Sequence, residues 1–77
     1  MAKLNAGDLL CLYTDGIVEA HNDHDEEFTL ERLEELVAAN RHRTSEEIGR
    51  EVLARVTEWG PGEQDDRTVV IVKAVTP

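Results

Sequence analysis

The chain has 77 residues, enough for one small domain with a limited hydrophobic core. Apolar residues make up 40% of it and charged residues 32%, a balance that favours a folded globular chain over a disordered one. The formal net charge of −9 disfavours binding to nucleic acid and to anionic membrane surfaces, because their phosphates would repel the chain. No apolar stretch is long enough to span a membrane and no signal-peptide pattern opens the sequence, so we expect a cytoplasmic protein.

The first predicted element is a strand over about Leu9 to Thr14. Its residues are almost all apolar, without polar alternation, which indicates a strand covered on both faces. Cys11, the single cysteine, lies inside this run and is predicted to be a small buried residue. Residues 1–8 are predicted to be a short lead-in with a turn. Asp15-Gly16 marks the point where the backbone leaves the sheet and turns.

Two amphipathic helices are predicted in the middle of the chain. After an exposed loop at residues 21–27, apolar residues recur at helical spacing over about Leu30 to Asn40, with Thr29 as the N-cap. A second helix begins after Thr44, because Thr44-Ser45-Glu46-Glu47 fits a capping box. Gly60-Pro61-Gly62 ends this helix.

The last predicted element is a strand over Thr68 to Val75, whose β-branched residues give the strongest strand signal in the chain. The order is therefore strand, helix, helix, strand, which is an α+β fold. Consecutive elements usually lie side by side and reverse direction, so the last strand is predicted to be antiparallel and adjacent to the first. This pairing brings Asp15 close to Asp65 and Asp66, although about fifty residues separate them in the sequence.

Asp15 and the pair Asp65-Asp66 are candidate metal ligands. Hard divalent cations such as Mg²⁺ and Mn²⁺ bind one or two carboxylates together with several waters. Such ions can polarise a phosphate and generate a hydroxide nucleophile near neutral pH. However, Asp-Gly is often a plain turn, and Asp-Asp before a strand is often a solvated loop. The residues alone leave both interpretations open.

A second acidic segment follows the first strand. Some ligand positions of an EF-hand-like loop are filled by acidic residues, namely Asp23, Asp25, Glu27 and Glu34. Phe28 replaces the central glycine of such a loop, and no cysteine or third histidine lies beside His21 and His24 to complete a zinc site. We therefore predict an ordinary exposed acidic loop.

Several short motifs occur in a fixed order along the chain. They are Gly7-Asp8-Leu9-Leu10, Tyr13-Thr14-Asp15-Gly16, Glu19-Ala20, Phe28, Glu31-Arg32-Leu33 and Asp65-Asp66-Arg67-Thr68-Val69-Val70. Their order and spacing resemble the C-terminal portion of metal-dependent serine/threonine phosphatases of the PPM (PP2C-like) family, and within it the bacterial sporulation-stage-II-E (SpoIIE) and sigma-regulation branch. The resemblance covers nearly the whole chain. A glycine commonly follows the phenylalanine in that family, where this chain has Thr29.

The resemblance implies a four-layer αββα sandwich that holds two Mn²⁺ or Mg²⁺ ions between its sheets. In that family a metal-activated water, and no side-chain nucleophile, hydrolyses phosphoserine or phosphothreonine. By resemblance, Asp15 and Asp65 are metal ligands. The residues implied to lie beside the site are Thr14, Gly16, Asp66 and Thr68.

The upstream half of that family's domain, which carries further metal ligands, is not matched in this chain. We therefore expect residues 1–77 to be the C-terminal part of one phosphatase domain and to be inactive alone. The expected partners are a phosphoprotein substrate in sigma-factor or stress signalling, and either the missing N-terminal half or a second copy that pairs through exposed strand edges. The alternative is a non-catalytic acidic binding or regulatory module that retains half of a phosphatase fold.

Overall fold

The computed structural model describes residues 2–6, 9–61 and 67–74. Within these ranges, one antiparallel sheet contains the strands β1 (Ala2–Ala6), β2 (Leu9–Tyr13) and β3 (Val69–Lys73), in that spatial order. The helices α1 (Asp15–Val18), α2 (Thr29–Ala39) and α3 (Ser45–Trp59) lie between β2 and β3 in the sequence. The α+β class predicted from the sequence is confirmed.

The sheet is organised around β2, which pairs antiparallel with both neighbours. Its pairing with β3 runs from Leu9 opposite Lys73 to Tyr13 opposite Val69, so the predicted adjacency of the two terminal strands is confirmed. The lead-in predicted for residues 1–8 is corrected, because Ala2–Ala6 forms a strand along the other edge of β2. Without β1, this edge of β2 would expose unpaired backbone N–H and C=O groups. The strand β1 forms hydrogen bonds with them.

All three helices contribute to a core on one face of the sheet. The helix α2 lies against β1, and α3 lies against β3. Alternate residues of β2 point into this layer and are buried, as strand geometry requires. The buried residues are Leu9, Cys11, Tyr13, Ile17, Ala20, Phe28, Leu33, Val37, Ile48, Val52 and Val56. The helical stripes predicted from the sequence therefore face the core at Leu33, Val37, Ile48, Val52 and Val56. Leu30 and Leu53, which were also placed on these stripes, are 42% and 39% exposed.

The opposite face of the sheet is apolar and partly open. Leu10 and Leu12 are only half-buried, while Val70 and Val72 are 43% and 48% exposed. The register places Leu12 opposite Val70 and Leu10 opposite Val72, so the four side chains form one outer apolar face. The prediction that β2 is covered on both faces is corrected, since among the described residues only its inner face is fully covered.

The segment after β2 is more regular than the predicted turn and loop. Asp15–Val18 forms one helical turn, in which Ile17 N–H donates to Thr14 O at 3.0 Å and the Ile17 side chain is fully buried. The following loop closes through an isolated bridge between His21 and Glu27. Its residues are exposed as predicted except Asn22, which is half-buried. Asn22 Oδ1 organises the loop by accepting from the N–H groups of His24 and Glu26.

The capping box predicted at the start of α3 is present. Glu47 N–H donates to Thr44 Oγ1 at 3.1 Å, and Thr44 N–H donates to Glu47 Oε1 at 3.0 Å. The backbone hydrogen bond from Thr44, followed by the bond from its hydroxyl, lowers the pKa of the Glu47 carboxyl below its ordinary value of 4.5. The charged carboxylate is therefore the form that the folded helix end prefers.

Replacing Thr44 by alanine is expected to lower the free energy of unfolding by about 1 kcal/mol, because the Glu47 N–H loses its acceptor. Thr44→Ser, which keeps the hydroxyl, should unfold close to wild type in urea. Because the folded-state pKa of Glu47 lies below the unfolded value, its contribution is fully present above pH 4.5 and is lost as the pH falls through the folded pKa. Urea midpoints that are the same for the alanine and serine variants would contradict this assignment.

The start of α2 contains a strained residue. Thr29 has a φ of +76°, in the left-handed region that side chains branched at Cβ rarely adopt. Its hydroxyl accepts from Arg32 N–H at 3.4 Å, a long hydrogen bond at the position predicted for an N-cap. The helix starts at Thr29, one residue before the predicted start at Leu30. The positive φ of Thr29 explains why a glycine suits this position.

Thr29→Gly is expected to raise the free energy of unfolding by about 1 kcal/mol, because glycine adopts positive φ without steric cost. The gain is limited by the greater freedom of glycine in the unfolded chain. Thr29→Ala keeps Cβ and removes the hydroxyl, so it should be slightly less stable than wild type. An alanine variant at least as stable as the glycine variant in urea unfolding would refute the strain.

Candidate functional site

Asp15 lies at the edge of the sheet where β2 ends. It is the first residue of α1, one residue beyond Thr14, and it is exposed. Its main-chain oxygen accepts from Glu19 N–H at 2.9 Å, and the buried Ile17 two residues later anchors the turn to the core. The carboxylate is therefore accessible to solvent on a backbone that the core holds in place.

Thr14 and Thr68 join the ends of β2 and β3. Thr14 N–H donates to Thr68 O at 3.0 Å, and Thr68 N–H donates to Thr14 Oγ1 at 2.9 Å. These two bonds extend the pairing of the strands one step beyond Tyr13 and Val69. As a result, the chain that leaves β2 with Asp15 and the chain that enters β3 meet at one edge of the sheet.

The structure brings together some of the residues singled out from the sequence. Thr14, Asp15, Gly16 and Thr68 lie at this edge, and Gly16 is the second residue of a helical turn, where a bend away from the sheet was predicted. Asp65 and Asp66 lie outside the described residues. The metal-ligand roles of Asp15 and Asp65 stay predictions.

Two titratable side chains of β2 lie beneath this edge. Burial raises the pKa of the Tyr13 phenol, and the charges of Cys11, Asp15 and Glu34 raise it further. Burial also raises the pKa of the Cys11 thiol to about 11. Cys11 is therefore protonated at neutral pH, as befits a buried structural residue, and does not serve as a nucleophile.

The described residues do not assemble a metal centre by themselves. Within residues 2–6, 9–61 and 67–74 there is no group of three or more His, Cys, Asp or Glu side chains placed to bind an ion. The acidic loop with Asp23, Asp25 and Glu27 accordingly supplies no such group either. At the sheet edge, Asp15 contributes a carboxylate of the kind that Mg²⁺ and Mn²⁺ prefer, but a complete site needs further oxygen ligands.

Two residues that matter at this edge were not singled out as such from the sequence. Ile17 is fully buried beneath α1, yet the surrounding stretch has no clear helical period. Arg67 has two buried guanidinium nitrogens. Its sequence context, Asp65-Asp66-Arg67-Thr68, is polar and gives no indication of burial. Both depend on packing that the local sequence does not reveal.

Replacing Thr14 by valine should lower the free energy of unfolding by about 1 kcal/mol, because the Thr68 N–H loses the acceptor at 2.9 Å while the side-chain volume is kept. Thr14→Ser retains the hydroxyl and should restore most of the loss. Amide hydrogen exchange at Thr68 measures the local effect. Equal exchange rates in the valine and serine variants would show that the hydroxyl does not fix this edge.

The sequence was compared with family models, curated proteins and solved structures. The sequence profile of Stage II sporulation protein E (SpoIIE) matches residues 2–75. Comparisons with curated proteins and with solved structures gave no match. Among the helices of the described ranges, none is long and apolar enough to cross a membrane.

Proposed function

The chain belongs to the Stage II sporulation protein E (SpoIIE) family of PP2C-like phosphatase-related domains, and we propose that it forms the C-terminal part of a metal-dependent protein phosphatase. The proposed reaction is hydrolysis of phosphoserine or phosphothreonine by a metal-activated water. The proposed substrate is a cytoplasmic phosphoprotein of bacterial sigma-factor or stress signalling, which the family supports.

The observation that carries this proposal is the reciprocal pair of hydrogen bonds between Thr14 and Thr68. One residue after Thr14 comes the exposed Asp15, and three residues before Thr68 in the sequence comes Asp65. In the family pattern, Asp15 and Asp65 bind one metal centre, and they can do so only if these two strand ends lie next to each other. A fold that separated β2 from β3 would remove this support.

In the proposed site, Asp15 and Asp65 are ligands to Mn²⁺ or Mg²⁺. A bound ion of this kind lowers the pKa of a coordinated water and stabilises charge on the phosphoryl oxygens. Asp15 suits this role because it is a hard oxygen donor on an anchored turn and is exposed. The remaining ligands are proposed to come from the upstream half of the domain, so residues 1–77 supply part of the site.

The outer apolar face is the proposed contact for that upstream half. Leu10, Leu12, Val70 and Val72 form a continuous patch in a chain of net charge −9. The described residues of β1 that share its cross-strand rows, Lys3 and Asn5, carry no negative charge. A second sheet laid on this face would bury the two exposed valines and complete a sandwich.

The proposal is tested by assaying hydrolysis of a phosphoserine peptide with Mn²⁺ by two proteins. One is the chain of residues 1–77, and the other is the same chain joined to the product of the coding sequence upstream of Met1. We expect turnover only in the longer protein, with Asp23→Asn as an active control. Clear turnover by residues 1–77 alone would contradict the partial site, and an inactive longer protein would contradict the phosphatase assignment.

The second candidate function is a non-catalytic binding module, and the exposure of Val70 and Val72 favours it. In that case the outer apolar face would bind a partner, with no reaction at the sheet edge. An upstream sequence without an Asp-Gly strand end, together with a longer protein that lacks metal-dependent turnover, would favour this module over the enzyme.

A further inference from the structure

The fold leaves the guanidinium of Arg67 without acceptors. Its Nε and Nη1 atoms are buried, and neither has a hydrogen-bond partner among the residues that the structure describes. A guanidinium stays charged at physiological pH and carries five N–H donors. Burying two of its nitrogens without an acceptor is unfavourable, because each loses its hydrogen bonds to water and forms none with the protein.

Arg67 also lies close to the sheet edge described above. It immediately precedes Thr68, whose main chain is bonded to Thr14 beside Asp15. A cationic residue is therefore attached to the strand end that is bonded to Thr14, and its Nη2 lies beside Gly60.

On one side, the guanidinium is confined by backbone. A Cβ built on Gly60 would lie 2.7 Å from His21 O and 3.3 Å from Arg67 Nη2, so Gly60, His21 and Arg67 meet closely. Next to Gly60, Trp59 Nε1 donates to Glu26 O at 2.8 Å, which joins the end of α3 to the loop that follows His21. This side of the guanidinium is therefore closed by packing.

We infer that Arg67 binds a phosphate-type oxyanion, namely the phosphoryl group of the substrate, an assignment that rests on the proposed function. Guanidinium and phosphate form strong charge-assisted hydrogen bonds with well-matched geometry. The cost of burial without an acceptor favours a turn of the side chain toward an arriving oxyanion. In this role Arg67 is a substrate-binding residue, distinct from the metal ligands.

The charge of the chain makes this inference sharply testable. With a net charge of −9, the protein as a whole repels phosphate, so non-specific anion binding is suppressed. A saturable response to phosphate must then come from a particular cationic contact. Arg50 provides a matched control, because it is exposed on α3 and already paired with Glu46 at 3.0 Å.

The experiment measures thermal unfolding of the 77-residue chain in EDTA, with inorganic phosphate replacing chloride at constant ionic strength. Wild type and Arg50→Met should show the same saturable rise in unfolding temperature. Arg67→Met should bind phosphate at least about tenfold more weakly, the equivalent of one lost charge-assisted hydrogen bond. Arg67→Lys, which keeps the charge without the planar fork, should fall between them.

In chloride alone, Arg67→Met should unfold at the same temperature as wild type or higher, because it removes a buried charge without an acceptor. A lower unfolding temperature, or failure to fold, would overturn the inference by showing that the guanidinium already has its acceptor. Equal phosphate responses in Arg67→Met and Arg50→Met would also overturn it, as would no saturable response in wild type.

Two further arms separate this inference from the phosphatase proposal. A phosphoserine peptide should compete with inorganic phosphate in wild type, whereas acetate at the same ionic strength should not. Asp15→Asn should keep the phosphate response, because no metal is present in this assay. If the response persists while the longer protein shows no turnover, the phosphate site stands and its assignment to a substrate falls.

Discussion

The Asp15→Asn variant of the complete domain is expected to lose Mn²⁺-dependent hydrolysis of a phosphoserine peptide by at least about 100-fold. The neutral amide of asparagine is a much weaker ligand for a hard cation than a carboxylate. Stability should change little, since Asp15 is exposed and surface substitutions usually stay within about 0.5 kcal/mol. Initial rates over a Mn²⁺ titration, together with a thermal melt, measure both effects.

The same substitution at an exposed position outside the site is the matched control for Asp15. Asp23→Asn lies in the acidic loop after α1 and should leave both the rate and the Mn²⁺ dependence unchanged. Wild-type turnover and an unaltered Mn²⁺ requirement in Asp15→Asn would remove Asp15 from the proposed ligands. A drop in both variants would instead point to an effect of overall charge.

Ile17→Ala is expected to lower the free energy of unfolding by about 2–5 kcal/mol. The isoleucine side chain is fully buried beneath α1, and its removal leaves a cavity there. A domain of this size is stable by roughly 4–12 kcal/mol in total, so the variant should be partly unfolded in mild urea. The single tryptophan, Trp59, packs against the core and reports the transition by its fluorescence.

Leu30→Ala removes a similar volume from α2, but Leu30 is 42% exposed. This substitution should lower the free energy of unfolding by no more than about 1 kcal/mol, since little buried apolar area is lost and both leucine and alanine favour helices. If Ile17→Ala is no more destabilising than Leu30→Ala, then α1 is not anchored by its buried side chain. Asp15 would in that case sit on a loose turn.

The elements with redundant local signals were predictable from the sequence. For α3, the capping box at Thr44, the apolar stripe and Gly60 all point to the same bounds, and the structure places the helix at Ser45–Trp59. The strands β2 and β3 were predicted from apolar and β-branched runs, and their antiparallel pairing followed from two intervening helices. Agreement among independent cues made these predictions secure.

The elements that depend on tertiary contacts were missed. The strand β1 contains Lys3 and Asn5, with Leu4 as its only large apolar residue, so its pattern is weak until β2 offers an edge to pair with. The turn α1 is too short to show a helical period, and Gly16 argued for a bend. Its position is set by the burial of Ile17, which local sequence does not reveal.

The candidate site was predictable in outline through the pairing of β2 with β3, which places Thr14 beside Thr68. The burial of the Arg67 nitrogens was not, because the local sequence does not show that the guanidinium packs beside Gly60 at the end of α3. Charged residues are assigned to the surface by default, and the exceptions emerge only from three-dimensional packing.

The bond from Thr68 N–H to Thr14 Oγ1 spans 54 positions of the chain. Closing a loop of that length costs roughly 3.5 kcal/mol of chain entropy before any contact offsets it. The hairpin of β1 and β2 is local and can form early, whereas β3 must await both helices. During synthesis on the ribosome, the nascent chain therefore has no assembled binding edge until β3 has emerged and docked.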